Sequence, residues 1–136
     1  MRLATFNIYW LGANKIARSA EDLRRIAQVI AKLDADVVVF QEIVDVQVLQ
    51  RIVDSANSLT GRRYQLFDKD HQLLGVGRPE DQKVVVTYDE QRYDLLAASP
   101  ILGGVSRLPF ALRLKSIAGG GQVLVVGVHL KSGWPS

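Results

Sequence analysis

The segment VVVFQE, residues 37–42, places four apolar residues directly before a glutamine and a glutamate. Three valines and a phenylalanine in succession are typical of a strand that is buried on both faces. Glu42 follows at the point where this strand ends. Either the chain has reached solvent there, or Glu42 lies at the edge of a binding site.

The residues before this segment predict a strand and a helix. LATFNIYW, residues 3–10, has the composition of a buried strand. Ser19 is followed three residues later by Asp22, an acidic variant of the capping box that begins a helix. Apolar residues then recur at helical spacing, at Leu23, Ile26, Ala27, Ile30 and Leu33. Strand, amphipathic helix and strand in this order predict a right-handed parallel βαβ unit.

The residues after Glu42 predict a second helix and several further strands. Asp45 can cap a helix that Gly61 ends. A short strand over 64–67 and a polar loop over 68–82 follow, and four more strand candidates cover 83–89, 93–99, 110–117 and 122–131. The glycines at 119–121 indicate a hairpin between the last two. We therefore predict an α/β fold, α+β-like, with one mixed sheet and two helices on one face.

This prediction leaves one face of the sheet without a covering layer. The strands over 37–41 and 123–128 are apolar on both faces, but two helices can cover only one face. An uncovered apolar sheet face of several hundred Å² is unusual on a monomer. We therefore expect a homodimer, or a further segment of chain, to cover it.

Composition limits the class of protein. The chain has 136 residues, 48% hydrophobic and 23% charged, a size and balance typical of one globular domain. A net charge of +3 permits an anionic substrate without requiring one, and the absence of cysteine excludes disulfides and thiolate metal sites. No apolar run has the length of a membrane span, and MRLATFNIYWLG is not a secretory signal. We expect a cytoplasmic protein that does not enter a membrane.

Two polar residues stand near the ends of the first two strands. Asn7 lies near the end of the first strand and Glu42 just after the second. In parallel strands both side chains emerge at one edge of the sheet, where open α/β sheets build their sites. A carboxylate beside a carboxamide suits a hard cation such as Mg²⁺. Taken alone, each residue is better explained as an ordinary strand end, solvent-facing for Glu42 and hydrogen-bonded for Asn7.

Further candidates lie in the second half of the chain. His129 interrupts the apolar run VLVVGVHL, as either a core histidine or a catalytic one. Arg107 precedes a strand, where a plain surface arginine is the simplest interpretation, and Lys131 is either an exposed lysine or a phosphate contact. The sequence contains no G-x-S-x-G, no G-x-x-x-x-G-K-[ST] and no H-E-x-x-H motif.

Five segments in order resemble the endonuclease/exonuclease/phosphatase superfamily, the group related to DNase I. They are LATFNIYWL, VVVFQE, KVVVTYD, SRLPFALRLK and VLVVGVHLKS. The resemblance identifies residues 1–136 as the N-terminal portion of such a domain, with the C-terminal half absent. It implies half of a four-layer α/β sandwich.

The resemblance also implies a function. Family members hydrolyse phosphodiesters or phosphomonoesters, nucleic acids among them, usually with Mg²⁺ and with Mn²⁺ as an alternative. On this likeness Glu42 is a metal ligand, Asn7 lies near the metal and the phosphate, and His129 and Arg107 belong to the catalytic set. The predicted function is a metal-dependent phosphoesterase, nuclease-like, acting on a phosphate-ester substrate.

The chain departs from the family pattern in two respects. The D-x-N segment and the terminal D-H pair of the family are missing, and Gly127 stands where relatives often have asparagine. We therefore expect weak or no activity from this chain alone, since loss of a general base commonly lowers the rate by about 10²–10⁴. The alternatives are a half-length dimerising module with a binding or reworked hydrolytic role, and a basic surface that binds anions.

Overall fold

The computed structural model describes residues 1–67, 82–101 and 109–129 of the chain. Within these ranges the chain forms two helices and seven strands. In chain order they are β1 (Leu3–Leu11), α1 (Ala20–Leu33), β2 (Val37–Ile43), α2 (Val46–Thr60), β3 (Tyr64–Phe67), β4 (Lys83–Asp89), β5 (Tyr93–Pro100), β6 (Phe110–Ser116) and β7 (Gln122–Gly127). Among the described residues, no helix is both long and apolar enough to span a membrane.

Both helices begin, and α2 ends, where local sequence signals predict. Ser19 and Asp22 form the reciprocal capping box at the start of α1. Asp45 accepts from the backbone N–H of Gln47 at the start of α2, and Gly61 ends that helix in the left-handed conformation. The apolar stripe of each helix packs against the same face of a sheet, so the two predicted helices are confirmed.

β1, β2, β4 and β3 form a mixed sheet in that order, which we call the first sheet. β1 and β2 are parallel and are joined through α1, as the βαβ prediction requires. β4 runs antiparallel to β2 and to β3. The helices cover one face of this sheet, which we call the helix face. The core between them includes Phe40, Ile30, Ile52 and Val85, which are almost completely buried.

β5, β6 and β7 form a separate antiparallel sheet, the second sheet. The α/β class and the half-sandwich are confirmed, but the prediction that all strands join one sheet is wrong. β6 explains the difference: Phe110, Leu112 and Leu114 are buried, whereas Arg113 and Lys115, which alternate with the leucines, are exposed. This alternation gives the strand one apolar face, which packs across the first sheet instead of extending it.

The second sheet covers much of the face that we expected to be bare. Val37, Val39 and Val86 of the first sheet pack against Leu112 and Leu114 of the second. We call this side of the first sheet the inner face. The chain therefore forms three layers: helices, first sheet and second sheet.

The covering layer stops short of β1. Leu3 pairs with Val37 and therefore lies on the inner face. Leu3 is nevertheless 58% exposed, whereas Val37 is fully buried. Among the described residues, Leu3 on β1 is thus an apolar side chain of the inner face that the second sheet leaves exposed.

Candidate active site at the rim of the two sheets

Asn7, Glu42 and His129 come together at one edge of the two sheets. The Asn7 Nδ2 donates to Glu42 Oε1 over 3.1 Å. The His129 Nε2 lies 3.5 Å from the same carboxylate oxygen. Two predicted residues from neighbouring parallel strands thus meet a third that follows β7 of the opposite sheet. Arg107 and Lys131 lie outside the described residues.

A bulge in β2 turns Glu42 towards the inner face. Val38 and Phe40 belong to the core under the helices, and so does Ile43. Strict alternation would place Glu42, and not Ile43, on that side. The pairing of β2 with β4 shifts between Phe40 and Ile43, and its pairing with β1 shifts between Asn7 and Leu11. Glu42 has a φ of 61°. Such left-handed conformations cost about 1–3 kcal/mol and concentrate at functional sites.

The Glu42 carboxylate is largely enclosed, and both of its oxygens face nitrogen donors. Its side chain is 15% exposed and that of His129 is 20% exposed. Gln82 Nε2 donates to Oε2 over 3.3 Å, opposite the contacts of Asn7 and His129 with Oε1. Asn7 and Gln82 are neutral, and His129 adds a positive charge only when it is protonated. The site therefore keeps a negative centre whose position is fixed from two sides.

Gln82 is the residue that sequence reasoning missed. It was assigned to the end of a polar loop, whereas the structure buries it directly before β4. Lys83 pairs with Ile43 in antiparallel register, so Gln82 lies at the end of β2, just beyond Ile43. From there its side chain reaches back to the Glu42 carboxylate. The predicted strand KVVVTYD could have indicated Gln82. A strand that runs antiparallel to β2 begins at the edge of the sheet where β2 ends, so the residue before it lies near Glu42.

Gly127 sets how closely the sheets approach beside the site. A Cβ at this position would lie 2.7 Å from Val84 Cγ1 and 3.2 Å from Val39 Cγ1. Gly127 ends β7 two residues before His129. The missing side chain therefore allows β7 to lie against the first sheet, and His129 to reach Glu42.

Glu42 and Asn7 can supply some, but not all, of the oxygen ligands that a hard cation such as Mg²⁺ needs. In the described part of the chain, no group of three or more His, Cys, Asp or Glu side chains could hold a metal ion. Mg²⁺ does not need such a group, because it commonly takes one or two carboxylates, keeps several waters and binds substrate phosphate. Glu42 supplies a carboxylate. Asn7 turns its Nδ2 to Glu42, which leaves its carboxamide oxygen for a cation or a water.

The family of the chain follows from a match over most of its length. A model of the endonuclease/exonuclease/phosphatase family matches residues 4–111. The chain therefore belongs to this family, whose members generally use a divalent metal ion. A comparison with curated proteins found no match.

Solved structures support the same fold. ANGEL2, a 2′,3′-cyclic phosphatase, is 17% identical with a TM-score of 0.65, over 95% of this chain and 40% of its own. The human Nocturnin catalytic domain with bound sulfate is 18% identical with a TM-score of 0.64, over 98% and 52%. An endonuclease/exonuclease/phosphatase from Bacteroides vulgatus is 18% identical with a TM-score of 0.59, over 92% and 50%. At these identities the likeness establishes the fold, and the chain spans about half the length of these structures or less.

Proposed function

We propose that this chain is the N-terminal portion of a metal-dependent phosphoesterase, nuclease-like, with Asn7, Glu42 and His129 at its active site. The observation that carries the proposal is the convergence of these three side chains at one rim. They come from two sheets and lie far apart in sequence. Family membership supplies the reaction class, hydrolysis of a phosphate ester, with nucleic acid among the candidate substrates.

Each residue has a distinct role in this proposal. Glu42 and the carboxamide oxygen of Asn7 would hold Mg²⁺, or Mn²⁺ in its place. When bound, the ion offsets negative charge on a phosphate oxygen. His129 lies beside Glu42, where an imidazole N–H can donate to a second phosphate oxygen. Arg107 remains a predicted member of the catalytic set.

We further propose that the catalytic set is incomplete in this chain. The matched part of Nocturnin is 52% of that domain, so a whole relative has about as much chain again. A residue that activates water, and further metal ligands, would come from that remainder. Weak or background hydrolysis is therefore expected from residues 1–136.

Calorimetric titration with Mg²⁺ tests the proposal. Binding should be lost in Glu42→Gln, which keeps the shape of the side chain and removes its charge. Glu90→Gln is the matched control, because Glu90 pairs with Arg63 away from the rim. Equal binding by the wild type and Glu42→Gln would refute the metal assignment. Strong cleavage of bis-(p-nitrophenyl) phosphate that survives His129→Ala would refute the site.

The alternative proposal is a half-length module that dimerises. Leu124 and Val126 are 60% and 44% exposed on the outer side of β7, and Leu3 is exposed on β1. A second copy could cover these surfaces, as could the second half of a longer domain. Sedimentation velocity distinguishes these possibilities: a stable dimer supports the module, whereas a monomer that aggregates supports the portion of a longer enzyme. In either case we expect a cytoplasmic protein.

A further inference from the structure

Gln82 is buried beside the proposed metal ligand. Only 9% of the residue is exposed, and its Nε2 donates to Glu42 Oε2 over 3.3 Å. Gln82 therefore holds Oε2 of the Glu42 carboxylate, whereas Asn7 donates to Oε1.

The other end of the same amide has no hydrogen-bond partner among the described residues. Gln82 Oε1 is buried and accepts no hydrogen bond within the described part of the protein. Reversing the amide would not resolve this, because Oε1 would then face a carboxylate oxygen and two acceptors would repel each other. A buried unpaired carbonyl oxygen is unfavourable, and an apolar side chain of similar size would avoid it.

A residue that is unfavourable for stability and bonded to a site residue is typical of a functional position. We infer that Gln82 is a positioning residue, which fixes the Glu42 carboxylate in the orientation that binds the cation. The two donors hold the carboxylate from opposite sides, with Asn7 on Oε1 and Gln82 on Oε2. This inference rests on the proposed metal-dependent function.

Two variants separate positioning from packing. Gln82→Met and Gln82→Leu keep the apolar volume, remove the donor to Glu42 and remove the unpaired oxygen. We expect a melting temperature equal to that of the wild type or higher. Loss of a residue that orients a metal ligand typically weakens metal affinity by about 10–100-fold, so Mn²⁺ binding should fall by about this factor.

Free Mn²⁺ measured by electron paramagnetic resonance gives the affinity without reference to activity. Gln65→Met is the matched control, because Gln65 is exposed on β3. Wild-type binding that is abolished by Glu42→Gln and weakened about tenfold or more in both Gln82 variants supports the inference. Affinity unchanged in a folded Gln82 variant overturns this inference alone. If the wild type binds no Mn²⁺, the proposed function fails, and the inference fails with it.

Discussion

Gly127→Ala tests whether close contact between the sheets holds the site together. The new methyl carbon would lie 2.7 Å from Val84 Cγ1, 3.2 Å from Val39 Cγ1 and 3.3 Å from Val86 Cγ2. Ordinary carbon–carbon contacts are about 3.5–4.0 Å. The three valines are buried, and their branched side chains have few alternative rotamers. The added carbon must therefore push β7 away from the first sheet.

The expected loss of stability follows from this overlap. Overpacking a filled core costs about 1–3 kcal/mol. With an unfolding entropy of about 2.1 cal/mol/K per residue, a chain of 136 residues should melt roughly 3–10 °C lower. Gly127→Asn introduces a larger side chain and should lower the melting temperature further. Calorimetry at fixed pH measures the change.

Gly121→Ala and a double variant make the test specific. A Cβ at Gly121 meets nothing within 4 Å, so Gly121→Ala should have the same melting temperature as the wild type. Adding Val84→Ala to Gly127→Ala removes the atom in closest contact. The combined destabilisation should therefore be smaller than the sum of the two single effects, by about 0.5–3 kcal/mol. Simple additivity, or a Gly127→Ala variant as stable as the wild type, would refute the proposed contact.

Two further predictions concern the opposite end of the first sheet and the start of α1. Arg62 is buried and pairs with both Asp36 and Asp89, so Arg62→Met should lower the free energy of unfolding by about 3–5 kcal/mol in urea denaturation. Burial opposes ionisation of Asp36, but the Arg2 backbone N–H and Arg62 outweigh it and lower the Asp36 pKa. Wild-type stability is therefore expected to fall as pH drops below about 4, and the fall should be shallower in Arg62→Met; a parallel decline in both would contradict this. Ser19→Ala removes the cap of α1 and should lower the free energy of unfolding, measured by thermal denaturation, by about 1 kcal/mol. An unchanged free energy of unfolding would contradict the capping role.

The helices were predictable because their signals are local. Ser19 with Asp22, and Asp45 with Gly61, mark the helix ends within a few residues of chain. The apolar stripes between them then fix which face is buried. No distant contact is needed to read either signal.

The division of strands between two sheets was harder to predict. β4 and β6 both read as apolar strands, but β4 is buried at nearly every position whereas β6 alternates. The alternation was visible in Arg113 and Lys115, yet it fits an edge strand of one sheet as well as a separate sheet. Which arrangement forms depends on packing between residues far apart in sequence, such as Val86 and Leu112.

The candidate site was predictable where it rests on parallel strands. Asn7 and Glu42 follow from the βαβ unit, because parallel strands end at the same edge. His129 could be placed beside them only through the family resemblance, since it belongs to the other sheet. Gln82 was missed because its role depends on the register of β4 against β2.

The bulge at Glu42 had no sequence signal, and it is the feature that makes the segment VVVFQE both a core strand and a site. A regular strand would direct Glu42 into the apolar layer beneath the helices and Ile43 to the rim. The shift in register exchanges them: Ile43 is fully buried in that layer, and Glu42 meets Asn7 and His129 on the inner face. The backbone strain at Glu42 is thus offset by burial of Ile43, so stability and the site depend on the same distortion.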